Sequence, residues 1–462
     1  MPPRFALKVI ATRMSSYPAD LRAPLSHPRI WRMALPIMLS NLTVPLLGAV
    51  DTAVVGHLPE PRHLGAVAVG STVFNLIYWS LLFLRSSTTG LVAQAIGAGN
   101  GDEVRAVLAR SLLLALVLGL LLIAGQGVIA VVAFGLIDGS AEVEELARSY
   151  LFIRILAAPL ALASFAMLGW FIGLQATGAV FVATTVMNVA NMALDLLFVF
   201  GFGWGVEGVA LATAIAEALG LITGLLLARP RLRRLGGQLS WPRIFEPTQL
   251  KRLFALNRDI FLRNVCVAFA FAFAFFTAQG AKQGDVVVAA NAVLMNFFFF
   301  LAFGLDGFAH AAQALVGMTY GARRRDLVRL AVRRTSLWAL VTASAYVVIY
   351  GLLSGPLIAL LTSLEDVRAL ANAHAAWLIW MLLVAVLAMQ LDGIFIGATR
   401  GSDMRNAMLV ALAIYLVVSG PLQARFGNDG LWAAFTLFVL LRGLTQAVRY
   451  PALERSVAQD PQ

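Results

Sequence analysis

A carboxylate in the middle of a membrane-length apolar run is the first residue here whose type and place demand chemistry. Asp51 lies deep in LPIMLSNLTVPLLGAVDTAVVGHL, Leu35–Leu58. A charged Asp at a bilayer centre costs about 3 kcal/mol on insertion scales, so it needs a partner, a water-filled cavity or a proton. Proline inside a helix removes one backbone bond and clashes with the preceding turn. Pro36 and Pro45, both upstream of Asp51, are therefore expected to let this helix bend, with Pro45 making the kink. Further along, Thr184, Asn188, Asn191 and Asp195 share one helical face, and Thr213 and Glu217 stand one turn apart on the next helix. Two carboxylates sharing a dry pocket cannot both ionise easily, which suits a proton carrier. The oxygens of Asp51, Asn191, Asp195 and Thr213 are equally a donor set for Na⁺. Interhelical hydrogen bonding is the structural alternative. No cation is evident at the centre of this half, because Arg154 reads as lying toward the outer end of its span.

The second half of the chain offers a different constellation. Asp259 and Arg263 form an i, i+4 pair in the favourable order and are expected to neutralise each other. Asp306, His310 and Gln313 share a face of one span, and Gln390 and Asp392 sit late in another. Asp306, His310, Asp392 and Glu217 are the candidates for substrate contact or gating.

These residues must be carried by membrane helices. Of 462 residues 60% are hydrophobic and 13% charged, roughly half the charge fraction of a soluble protein. Bilayer-length apolar runs recur at about 30–56, 63–85, 104–135, 144–173, 179–201, 206–228, 253–279, 286–310, 327–354, 367–397, 403–424 and 430–450. The reading is an all-α polytopic membrane protein of twelve spans, the first of them a span and not a removed leader. Its parts are a cytoplasmic tail (1–28), a six-helix bundle (29–228), a cytoplasmic linker (229–249), a second six-helix bundle (250–450) and a C-terminal tail (451–462).

The formal net charge is +11, with 32 Arg and 3 Lys. The basic residues fall in alternate loops, which places both termini in the cytoplasm. The surplus is thus an orientation signal, and nucleic acid is not an expected partner. The single cysteine, Cys266, excludes an intrachain disulfide. No Lys is followed by Ser or Thr, so a phosphate-binding P-loop is absent, and so are hydrolase and metalloprotease motifs. The chain reads as neither an ATP-driven pump nor an enzyme, without a cofactor and without a metal beyond Na⁺ at the set above.

The chain also repeats itself. Leu91-Val-Ala-Gln-Ala-Ile-Gly-Ala-Gly answers Ala311-Ala-Gln-Ala-Leu-Val-Gly-Met, Phe171-Ile-Gly answers Phe395-Ile-Gly, and Gly205-Val-Glu-Gly208 answers Gly427-Asn-Asp-Gly430. The offset is 219 to 224 residues with six spans between counterparts. An even number makes the repeats parallel, one of the transporter plans.

Four strings carry a resemblance: Leu35–Leu58, FLRSSTTGLVAQA at Phe83–Ala95, FFTAQGAKQGD at Phe275–Asp285 and FGLDGFAHAAQALVG at Phe303–Gly317. The sequence resembles the multidrug and toxic compound extrusion (MATE) transporters, in the branch of DNA-damage-inducible protein F. The resemblance implies a V-shaped antiporter of two six-helix bundles in the bacterial cytoplasmic membrane, expected as a monomer. It would export cationic or amphipathic small molecules in exchange for H⁺ or Na⁺. The family's first-helix carboxylate falls on Asp51, its fifth-helix Asn-x-x-x-Asp on Asn191 and Asp195, and its sixth-helix Thr on Thr213, with Asn188 on the same face. One departure is Leu196, where the family often has Pro. The rival reading is a lipid-linked precursor flippase, which is expected to line its cavity with cations for phosphates.

Overall fold

The structure, a computed structural model, describes residues 25–56, 60–136, 140–272 and 275–457. Of the expected tails at 1–28 and 451–462, residues 1–24 and 458–462 lie outside the described residues, whereas 451–456 continue the last helix, with Leu453 buried and Glu454 paired with Arg325 and Arg329. Among those described, the secondary structure is entirely helical. Among the described residues two compact units are present, one built on residues 39–250 and the other on residues 25–38 together with 251 onward.

The first unit holds the later part of α1 (His27–Gly56), then α2 (Pro61–Leu81), α3 (Phe83–Gly97), α4 (Gly101–Ala124) and α5 (Gln126–Leu136). It continues with α6 (Ala141–Ile155), α7 (Ala158–Gly173), α8 (Thr177–Leu196) and α9 (Val206–Leu235). Local sequence explains the main breaks. Asn100 caps α4 by accepting from the Glu103 amide at 3.0 Å, and Asp102 and Glu103 suit the positive end of the helix dipole. The fourth span is not one helix: α6 and α7 meet at 54°. Pro159 sits in the first turn of α7, has no N–H to give, and excludes a helical carbonyl four residues back. Gly119 of α4 makes the room, since a Cβ there would run into the Pro159 backbone. The break leaves Arg154 in the last turn of α6, at the negative end of that helix dipole.

At the end of α8 the backbone widens into a π-helix over Leu197–Gly201, directly after the Leu196 that stands where the family often has Pro. A π turn relieves the helix ladder locally without a proline and is a frequent mark of functional sites.

The second unit takes the start of α1, then α11 (Pro247–Val267) with a π-helical end at Ala268–Ala272 and α12 (Phe276–Ala281). It continues with α13 (Asp285–Gly321), α14 (Arg325–Leu361), α15 (Glu365–Gly397) and α16 (Gly401–Ser456). α16 is two helices joined at Gly427, whose φ is 57°. Among the described residues eight helices are long and apolar enough to cross a membrane, or nine with the bent α6–α7 pair taken as one span. The sequence places residues 29–38 with the first bundle, whereas the structure groups them with the second unit. Trp31 packs edge-on to Phe308 and Trp338, at 5.1 and 5.3 Å between centroids, and Arg334 donates to the Leu25 carbonyl at 2.8 Å. α1 runs through both proline positions as one helix; the Pro45 side chain lies outside the described residues.

The linker is laced to the first unit. Buried Arg110 donates to the carbonyls of Ile244 (2.9 Å) and Arg243 (2.6 Å) and to Glu103 (2.6 Å), around the short α10 (Trp241–Ile244). Arg105 donates to the Gly236 carbonyl at 2.6 Å.

The repeat extends to backbone detail at its turns, although α15 is continuous where its counterpart α6–α7 is bent. Positive φ recurs at Gly99 and Arg323, at Gln175 and Thr399, and at Gly203 and Gly427, each pair 224 residues apart. Gly169 lies against the Arg85 carbonyl as Gly393 lies against the Ala309 carbonyl, both so tightly that a Cβ would collide. The same register, 224, separates both members of that contact.

Candidate functional site

Helices α1 and α8 run alongside each other in register, and their facing polar residues form three rungs. Ser40 and Thr184 share a short hydroxyl–hydroxyl hydrogen bond. Asn188 donates to the Thr43 hydroxyl. At the third rung Asp51 and Asp195 face each other, close enough for their carboxyls to interact. The sequence separations are 144, 145 and 144 residues, so the rungs follow one helical stripe on each partner. Asp195 is fully buried, and one oxygen of each carboxyl, Oδ1 in both, is buried without a hydrogen-bond partner among the described residues.

A third helix closes the arrangement. The Asn191 amide lies 3.1 Å from the Thr213 hydroxyl of α9. With its oxygen on that side, it accepts from Thr213 while its NH₂ donates to Asp195 Oδ2 at 3.2 Å. That orientation gives the carboxyl a donor in place of a second acceptor. Glu217, one turn beyond Thr213, is 7% exposed with Oε2 unpartnered. The structure therefore brings together Asp51, Asn188, Asn191, Asp195 and Thr213 as one cluster, with Glu217 at its side.

Sequence reasoning missed the cation. Arg154, expected toward an outer end, is within electrostatic reach of Asp51, Asp195 and Glu217. Its guanidinium lies 4.7 Å from the Phe74 ring centroid and donates to the Tyr150 hydroxyl at 2.9 Å. Spacing along one helix does not show which helix packs against it.

In the second unit the pairing differs from the i, i+4 expectation. Arg263 does not pair with Asp259; it reaches across to Asp392 of α15. Asp392 also accepts from Arg442 at 2.7 Å and from Gln446 at 2.8 Å. Asp259 is held instead by Arg405 (2.6 Å) and Arg258 (3.0 Å). A same-helix spacing gives proximity but not priority: Arg263 reaches the carboxylate of a neighbouring helix, while Asp259, equally buried, is taken by Arg405 and Arg258. Asp306 lies within electrostatic reach of Arg442. His310 Nδ1 is 3.0 Å from Gln313 Oε1, and both residues are buried.

Comparison with known proteins places these features in a family. The MatE family model matches twice, over residues 36–197 and 260–422, so each half is one copy of the same unit. The chain is 43% identical over 431 residues to DNA damage-inducible protein F of Escherichia coli K12, covering 91% of each. It is 30% identical over 456 residues to the probable multidrug resistance protein NorM of Deinococcus radiodurans, covering 94% of this chain and 95% of the relative. Among solved structures, MATE in the bent conformation aligns with TM-score 0.85 at 20% identity, over 96% of this chain and 100% of that one. An outward-facing multidrug resistance MATE transporter of the MOP superfamily aligns at 0.83 and 20%, over 94% and 97%. The chain belongs to the MatE family of multidrug and toxic compound extrusion transporters, in the branch of DNA damage-inducible protein F.

Proposed function

We propose that this protein is a secondary antiporter that exports cationic or amphipathic small molecules in exchange for H⁺, with Asp51 and Asp195 as the coupling pair. One observation carries the reading: two carboxyls, Asp51 and Asp195, face each other in the interior of one bundle, and two carboxylates sharing a dry pocket cannot both ionise easily, so the pair favours holding one proton. Asn191 and Thr213 orient Asp195, and Asn188 ties α8 to α1. A proton entering down the membrane potential supplies roughly 2.3 kcal/mol per 100 mV. It can drive export only through a residue that takes it up in one state and releases it in the other. The protein works as a monomer in a bacterial cytoplasmic membrane with both termini inside.

Na⁺ is the second reading, favoured by the oxygens of Asp51, Asn191, Asp195 and Thr213 standing in one cluster. Among the described residues no group of three or more His, Cys, Asp or Glu is placed to hold a metal ion. Export from proteoliposomes with pH and Na⁺ gradients imposed separately decides between them. Export of a cationic dye driven by the pH gradient alone is expected. A response to Na⁺ alone transfers the role to that ion, and transport restricted to phosphorylated lipid carriers replaces the antiporter with a flippase.

A further inference from the structure

We propose that Arg154 is a resident cation, a specificity-determining residue that screens the carboxylates of the first bundle and so limits how strongly that bundle holds a cationic ligand. The inference rests on the reading that this bundle carries the exchanged charge.

The geometry around Arg154 is that of a cation-binding nest already filled by the protein's own side chain. Its guanidinium lies 4.7 Å from the Phe74 centroid, 5.7 Å from Tyr150 and 6.0 Å from Tyr78. Aromatic faces at such distances attract a cation through the ring quadrupole. Gly70 makes the room for one of these rings, because a Cβ there would collide with Tyr150. Charged and titratable groups face Arg154 from each packed element: Asp51 on α1, Tyr78 on α2, Tyr150 on α6, Asp195 on α8 and Glu217 on α9.

The nest is nevertheless left open. Among the described residues Arg154 forms no ion pair within 4.0 Å and its Nε has no partner. Glu217 Oε2 and the Tyr78 hydroxyl are also buried and unpartnered. A buried unpaired polar group costs free energy that a ligand or a proton can recover. The resident guanidinium offsets part of the carboxylate charge, so an incoming monocation meets a weaker attraction than three bare carboxyls would give.

The test is equilibrium binding to the purified full-length protein at fixed pH, with no gradient. The probes are tetraphenylphosphonium, a permanent monocation, and N-phenyl-1-naphthylamine, a neutral amphipath. Arg154→Met should bind the monocation about tenfold more tightly, the effect of one charge acting over about 10 Å in a partly polar interior, and should leave the neutral probe unchanged. Arg154→Lys should restore wild-type monocation affinity. Glu217→Gln should weaken monocation binding, and it decides the matter should Arg154→Met fail to fold. Unchanged monocation affinity in Arg154→Met, or equal changes for both probes, would reduce Arg154 to packing. With Glu217→Gln alone, unchanged affinity overturns the proposal likewise. Because no gradient is used, normal coupling in Asp51→Asn would remove the antiport reading and leave this charge dependence standing.

Discussion

The two bundles share turns and close glycine contacts at one constant offset, yet their polar centres do not coincide. At the constant offset of 224, Asp51, Asn191 and Asp195 correspond to Phe275, Tyr415 and Ser419, and Glu217 and Arg154 to Leu441 and Leu378. Phe275 and Tyr415 make an edge-to-face contact at 5.1 Å, so aromatic packing in the second bundle takes the place of polar contacts in the first. The reverse also holds: Asp392, Arg263 and Arg442 correspond to Leu168, Leu39 and Ala218. Each half thus keeps one charged centre whose positions carry no charged side chain in its twin. In the first, carboxyl oxygens are left without partners; in the second, Asp392 is held by two arginines and Gln446. One scaffold therefore carries a centre that we propose changes its charge and a centre whose carboxylate is paired with two arginines.

That contrast predicts graded effects on stability. Asp392→Ala strands Arg263 and Arg442 in the interior and should destabilise the protein by about 3–5 kcal/mol, the cost of breaking a buried pair from one side. Thermal unfolding of the detergent-solubilised protein reads this out, and a loss no larger than that of a surface mutation would show that the cluster is solvated. Gly169→Ala and Gly393→Ala should each cost about 1–3 kcal/mol by overpacking, and by similar amounts, because both press on the corresponding carbonyl. Clearly unequal losses would mean that the two contacts only look alike. Asp195→Asn should change stability least, by under about 1 kcal/mol, since it replaces a carboxyl with an unpartnered oxygen by a group of the same shape. A loss as large as that of Asp392→Ala would erase the distinction between the bundles.

Much of this was legible from residue order. Apolar length gave twelve spans, the repeated strings gave the duplication, and the spacing of Thr184, Asn188, Asn191 and Asp195 gave one polar face. What escaped depends on helix ends and long side chains. That Arg154 would interact with the carboxylates of other helices was not legible, because spacing along one helix does not show which helix packs against it. Arg263 was assigned to Asp259 because helical spacing shows only neighbours on the same helix. The docking of the linker onto α4 was hidden for a related reason. Arg105 and Arg110 bind backbone carbonyls there, and carbonyls carry no sequence signature.

The central claim is that a proton moves through the Asp51–Asp195 pair. It is tested most directly by gradient-driven efflux from vesicles holding equal amounts of folded wild-type and Asp51→Asn protein. Asn keeps the shape of Asp and can hydrogen-bond to Asp195, but it cannot take up and release a proton. The account predicts that the variant still binds substrate while efflux driven by the pH gradient falls to the level of empty vesicles. Wild-type efflux from Asp51→Asn would contradict it and make this carboxyl a packing feature of α1.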